Sequence, residues 1–189
     1  PEGTKLNIEG NNVTFFSKQD EKDNPHHIIE LKVNSKKTTN VVYSIEADQY
    51  DVIVDNVDGF EKGDLVKIKT LEPFSIRENN DVHYKQHISR IFEINGKVIR
   101  LTDPFPYKFN DGNSIQMENL GKPTSVNFNG ISFEWIETNS TTATSSLRLE
   151  NISNSNLKNL YFKGHNNTGI RLVNCYNTNI NGIKAEGSD

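Results

Sequence analysis

From Leu147 onward the apolar residues come in short alternating bursts separated by asparagine and serine, and the bursts recur. The segment LRLENISNSNLKNLYF, beginning at Leu147, superposes on IRLVNCYNTNINGIKA, beginning at Ile170, at a spacing of about 23 residues. Leu147 matches Ile170, Leu149 matches Leu172, Ile152 matches Cys175, Leu157 matches Ile180, Leu160 matches Ile183 and Phe162 matches Ala185. Asn151, Asn154 and Asn156 match Asn174, Asn177 and Asn179. A third, less regular copy is VNFNGISFE, with Phe128, Ile131 and Phe133 in the places of Leu157, Leu160 and Phe162. Each burst has the length of a short strand between bends, and helical spacing is absent. Such a repeat predicts a right-handed parallel β-helix, each unit one coil stacked about 4.8 Å above the last. Matching asparagines can then chain their amides as a ladder at a bend, and Cys175 takes the place of Ile152 inside the stack. A leucine-rich repeat has a similar period and asparagine usage, but its helical half needs a 3.6-residue pattern that is missing here. One coil alone buries too little to stand, so coils are expected in series. The last unit runs through Ala185 into Gly187, Ser188 and Asp189 without an amphipathic cap, which predicts an open edge and a longer spiral.

The beginning reads as strands too. PEGTKLNIEGNNVTFF alternates through Leu6, Ile8, Val13 and Phe15 around Gly10-Asn11-Asn12, and HHIIELKV follows a charged loop from Asp20 to Asn24. Residues 1–37 are thus expected to supply the first coil. Between 38 and 119 the strands become longer and more charged (VVYSIEA, YDVIVDNV, DLVKIKT, HISRIFEI, KVIRLTDPF) and the repeat is lost. This stretch predicts an inserted antiparallel module of barrel or sandwich type, with a hairpin at Asn95-Gly96 on a type I′ turn. Residues 120–189 return to coils.

Composition narrows the chemistry. The chain has 189 residues, 33% hydrophobic and 24% charged, with a formal net charge of −4. That length fits one domain, or one plus a module. No apolar run approaches the about 18 residues of a membrane-spanning helix, and mild acidity argues against nucleic acid as the main partner. A single cysteine rules out a disulfide framework and a cysteine-ligated zinc site. There are 26 asparagines, 10 of them after Glu150, a bias that suits tight turns and stacked ladders. Opening at Pro1 rather than Met, the chain reads as processed or cut from something longer.

The opening PEGTKLNIEGNNVTF, the block VIVDNVDGFEKGDLVKIKT, the later IFEINGKVIRLTDPFPYKF and the coil VNFNGISFE occur in an order that resembles the N-terminal part of pectate-lyase-superfamily β-helix proteins. They look most like bacteriophage tailspikes and preneck appendage proteins. The resemblance covers nearly the whole chain as a pattern of blocks, none of them a catalytic signature. It implies a trimeric, virion-attached β-helix that binds a bacterial surface polysaccharide and often cleaves it.

Candidate residues follow from parity. With Leu147, Leu149, Ile170 and Leu172 pointing inward, Arg148 and Arg171 point outward and stack in one column. Lys158, Tyr161 and Lys184 face solvent by the same reasoning. Basic groups alternating with an aromatic make a platform for an anionic sugar chain. The plainer expectation is a solvated surface neutralised by Glu150 and Glu186. Glu134 and Glu137 are weak candidates for a catalytic carboxyl pair, with bend or rim roles the simpler reading. His83 and His87 stand four apart but lack a helical pattern, His26-His27 read as loop residues, and Asp55, Asp58 and Asp64 read as turn formers around Gly59 and Gly63. No metal or cofactor is expected.

The leading functional expectation is a tail spike or appendage segment, a homotrimer with other tail proteins as partners, that binds capsule, teichoic acid or a similar surface polysaccharide. Any depolymerase residues are expected beyond Asp189. A secreted polysaccharide lyase or hydrolase is the competing class and predicts a monomer. A structural virion protein is the third and predicts no glycan binding.

Overall fold

The computed structural model describes residues 3–17, 27–76, 82–110, 114–135, 145–164 and 168–186. Among the described residues there are thirteen strands and no α-helix. In chain order they are β1 (Lys5–Ser17), β2 (Ile29–Lys32), β3 (Lys37–Asn40), β4 (Asp51–Ile53), β5 (Leu65–Ile76), β6 (Val82–Asn95), β7 (Val98–Leu101), β8 (Ile115–Gly121), β9 (Ser125–Trp135), β10 (Ser145–Glu150), β11 (Asn156–Lys163), β12 (Thr168–Val173) and β13 (Asn179–Glu186). They divide into two compact units, Gly3–Val33 with Thr124–Asp189, and Asn34–Pro123.

The first unit is a parallel spiral. One sheet has the order β1-β9-β11-β13 and a second has β12-β10-β2. Successive coils therefore run β1 to β2, β9 to β10, β11 to β12 and on to β13. Leu147 pairs with Ile170 and Leu149 with Leu172 across β10 and β12. Leu157 pairs with Ile180, Leu160 with Ile183 and Phe162 with Ala185 across β11 and β13. β9 takes its expected place beneath β11, with Phe128 under Leu157 and Phe133 under Phe162. Phe128, Ile131, Phe133, Leu147, Leu149, Leu157, Leu160 and Phe162 are all fully buried. Burying these side chains against coils above and below, at roughly 1.5–3 kcal/mol each, is what holds the stack.

The bends depend on asparagine. Asn151, Asn154, Asn174 and Asn177 have φ of 59°, 53°, 51° and 50°, the left-handed region that asparagine tolerates better than other residues with a Cβ. At one bend the expected ladder forms, Asn177 Nδ2 donating to Asn154 Oδ1 at 2.8 Å. Another runs at the start of the first sheet, where Asn156 Nδ2 donates to Asn127 Oδ1 at 3.0 Å and Asn127 Nδ2 to Asn7 Oδ1 at 2.8 Å. Asn151 instead donates to the Val33 carbonyl at 2.6 Å, satisfying a backbone acceptor where the chain leaves the first coil. Cys175 is half-buried against the core, its Sγ 3.4 Å from the Leu149 carbonyl, and burial pushes its thiol pKa up.

The second unit is an antiparallel sheet in the order β3-β8-β5-β6-β7-β4. It curls until its two outer strands meet: Val41 bridges to Val54, Val42 N–H donates to the Ile53 carbonyl at 2.8 Å, and Asp55 N–H donates to Asn40 at 3.0 Å. The curled sheet wraps a core of Ile68, Ile99, Phe105, Phe109, Ile115 and Met117. β6 and β7 form the expected hairpin, but Asn95 pairs with Val98, so the two-residue loop is Gly96-Lys97. Only Gly96 has a positive φ, 57°, which suits a type II′ turn and corrects the type I′ expectation.

Asp64 is a turn anchor, accepting from Glu61 N–H at 2.8 Å and Asn119 Nδ2 at 2.9 Å and pairing with Lys122 at 2.7 Å. His83 and His87 both lie on β6. Four residues along a strand span about 13 Å, too far for one metal ion. His87 packs on Phe105 with ring centres 4.6 Å apart, and burial pushes its imidazole pKa below the ordinary value against the pull of Asp103.

Candidate functional site

The outward faces of the two sheets carry the polar groups singled out above. On β11, Leu157, Leu160 and Phe162 point inward, a spacing of three and then two that strict alternation does not give. The cause is Asn159, whose φ is 52°: one left-handed residue resets the parity of the strand. Gly130 in β9 and Gly182 in β13 do the same with φ of 68° each. The signal in the sequence was Asn129-Gly130 and Asn181-Gly182, which alternation alone overlooks.

On the far side of that bend Tyr161 sits between Ser132 and Lys184, and Lys163 between Glu134 and Glu186. The Lys184 ammonium lies 5.2 Å from the centre of the Tyr161 ring and 2.8 Å from Glu186 Oε1. The Tyr161 hydroxyl donates to Glu186 Oε2. That hydrogen bond pushes the phenol pKa above its ordinary value, while Lys184 and Tyr161 hold the Glu186 carboxyl below the usual carboxylate range. Lys163 pairs with Glu134 at 3.3 Å. Tyr161 and Lys184, with Ser132, Asn159, Leu160 and Gly182, line an open depression of about 420 Å³. Lys158 is exposed earlier on β11, between Asn129 and Asn181.

Arg148 and Arg171 lie on the second sheet, neighbours in its register. Arg148 is largely neutralised: its Nη2 lies 2.7 Å from Glu150 Oε2 and its Nη1 3.4 Å from Glu30 Oε1. Glu150 also pairs with Lys32 at 2.9 Å. Burial pushes the Glu150 carboxyl up, but Lys32 and Arg148 more than offset it and leave its pKa low. Arg171 is exposed, and among the described residues it has no carboxylate partner. The five sequence-derived binding residues thus fall into two groups, Lys158, Tyr161 and Lys184 on one sheet and Arg148 and Arg171 on the other.

A glycosidase needs one carboxyl with a raised pKa to act as general acid. Glu186 and Glu150 are both shifted the other way, and Glu134 is tied to Lys163. Glu137, like His26, lies outside the described residues. Among the described residues no cluster of three His, Cys, Asp or Glu side chains could hold a metal ion. The depression at Tyr161 is lined by an aromatic ring, an ammonium, a hydroxyl and the Asn159 amide.

This fold, a parallel β-spiral with a curled antiparallel unit inserted after its first coil, is similar to that of solved phage tailspike proteins. The tailspike protein gp49 of Pseudomonas phage LKA1 superposes with a TM-score of 0.77 at 12% identity, over 98% of this chain and 31% of its own. The tailspike gp61 of Pseudomonas phage phi297 gives 0.62 at 9% identity, over 98% of this chain and 36% of its own. The Gp54 tailspike of Acinetobacter baumannii phage AP22, solved in complex with A. baumannii capsular saccharide, gives 0.50 at 12% identity, over 96% and 42%. The chain spans about a third of the length of the first two. No protein-family model and no curated protein matches it.

Proposed function

We propose that the chain is part of a phage tailspike, carried on the virion tail as a homotrimer, that recognises a bacterial surface polysaccharide. The observation that carries this reading is the depression beneath the Tyr161–Lys184 pair, where a ring face and an ammonium adjoin amide and hydroxyl groups from three successive coils. A sugar stacks its C–H face on an aromatic ring and places hydroxyls or a carboxylate on nearby donors. Arg171, exposed on the second sheet, offers a further cationic contact. The saccharide complex of the phage AP22 spike supports a glycan as ligand.

A general acid for depolymerase activity, in an intact protein that has it, would be a carboxyl other than Glu150 and Glu186, which neighbouring cations hold ionised. The test is retention of the purified chain on host capsular polysaccharide. Replacing Tyr161 or Lys184 with Ala should weaken retention about tenfold, the loss of roughly 1.4 kcal/mol. Arg171→Ala should lower its salt sensitivity. Unchanged retention in all three variants would remove the spiral face from glycan recognition.

A further inference from the structure

The outer surface of the antiparallel unit carries its own polar depression, beside the β6–β7 hairpin. We propose that it is a saccharide subsite for a single neutral pyranose ring, a second glycan contact independent of the spiral. Three adjacent strands build it. Arg100 on β7 stands in register with Asp51 of β4 on one side and Glu93 of β6 on the other. With Asn95 and Val98 these residues line an open depression of about 190 Å³.

Its hydrogen-bonding capacity is mostly unused. Arg100 Nη1 is 3.7 Å from Asp51 Oδ2, a long contact that occupies little of a five-donor guanidinium. Among the described residues the side chains of Glu93 and Asn95 have no partner. Tyr50, immediately before β4, is 39% exposed, and its ring centre lies 5.7 Å from the Arg100 guanidinium carbon. The Tyr50 ring thus backs the guanidinium and holds it in the row of acceptor, donor and acceptor.

The order of those groups selects the ligand. A vicinal pair of hydroxyls seated over Arg100 accepts from the guanidinium with both oxygens and donates outward, to Asp51 on one side and Glu93 on the other. Every polar group is then matched, as a desolvated contact requires. An anion would meet two carboxylates for one arginine, and a cation would meet Arg100 itself. A neutral polyol suffers neither repulsion. The Val98 side chain in the lining gives the C–H face of a pyranose its apolar support, while Tyr50 positions Arg100.

The experiment uses the full chain and NMR titration with the methyl glycosides of glucose, galactose, mannose and N-acetylglucosamine. At least one should shift the amide signals of Tyr50, Asn95 and Arg100 saturably, and Tyr50→Ala and the isosteric Glu93→Gln should each weaken that binding about tenfold. Both side chains are on the surface, and an unchanged thermal midpoint verifies folding. No saturable shift at these residues with any of the four glycosides, or wild-type affinity retained in both variants, overturns the subsite. Polysaccharide retention by Lys184→Ala reports on the spiral and glycoside shifts at Tyr50 report on this unit, so each reading fails by itself.

Discussion

Phe162 lies flat on Phe133, ring centres 5.0 Å apart and planes 6° from parallel, and Phe133 in turn faces Phe15 at 5.9 Å and 25°. The three rings come from successive coils at register-matched positions, so the stack of backbones becomes a stack of aromatics. The next position in the column is Ala185, where the column stops. Phe133 has a ring on both sides. Phe133→Ala should cost about 3–5 kcal/mol and Phe133→Leu about 1.5 kcal/mol, read from denaturant midpoints of the full chain.

Gly130 separates conformation from space. A Cβ there would lie 2.2 Å from the Gly10 carbonyl oxygen of the neighbouring coil, in a residue whose φ is already 68°. Gly96 has a comparable φ of 57° but nothing within 4 Å of its Cβ position. Gly96→Ala should cost about 1–2 kcal/mol for the left-handed backbone alone. Gly130→Ala should cost at least 3 kcal/mol, because a backbone must also move. Equal midpoints for the two variants would contradict the close approach of the coils.

The asparagine bend can be divided in the same manner. Asn154→Gly keeps the left-handed conformation and loses the amide bond from Asn177, an effect of about 1 kcal/mol. Asn154→Ala loses the bond and strains the backbone, for about 2–3 kcal/mol in all. The ranking of thermal midpoints, wild type above glycine above alanine, is the expected outcome.

Acid should weaken the antiparallel unit through Glu118. Its carboxylate oxygens sit 2.7 Å from the ammonium groups of Lys67 and Lys69, with only 12% of the side chain exposed. Burial pushes the carboxyl up, but the two lysines more than reverse this and its pKa lies below the ordinary value. A carboxyl whose folded pKa is depressed contributes its stabilisation fully above the unfolded pKa and loses it as pH falls through the folded one. Glu118→Gln should lower stability at neutral pH by about 2–3 kcal/mol and flatten the decline in acid, measured by denaturant midpoints across the acidic range.

The sequence carried the spiral's register wherever two coils have equal length. Leu149 over Leu172 could be read because the chain between them forms one repeat without insertion. Phe128 under Leu157 was harder, since that coil is about six residues longer and the period blurs. Asn159 escaped alternation because a single left-handed residue shifts inside to outside. At the candidate site, Tyr161 and Lys184 could be stacked from the repeat of about 23 residues. For Arg148 the near partner Glu150 was legible, but its second partner Glu30 was not, being over a hundred residues earlier and brought alongside only because the spiral resumes after the inserted unit. Charge neutralisation across such a gap leaves no local trace.

The antiparallel unit begins and ends on paired strands, Lys37 opposite Asn119, with Lys36 N–H donating to the Asn119 carbonyl at 2.8 Å. Its two chain ends are thus neighbours, and a short loop could bridge them without stretching either strand. Adjacent ends mean that excising the unit need not pull the flanking coils apart. A chain shortened at that junction should then keep the residue-over-residue register of every coil.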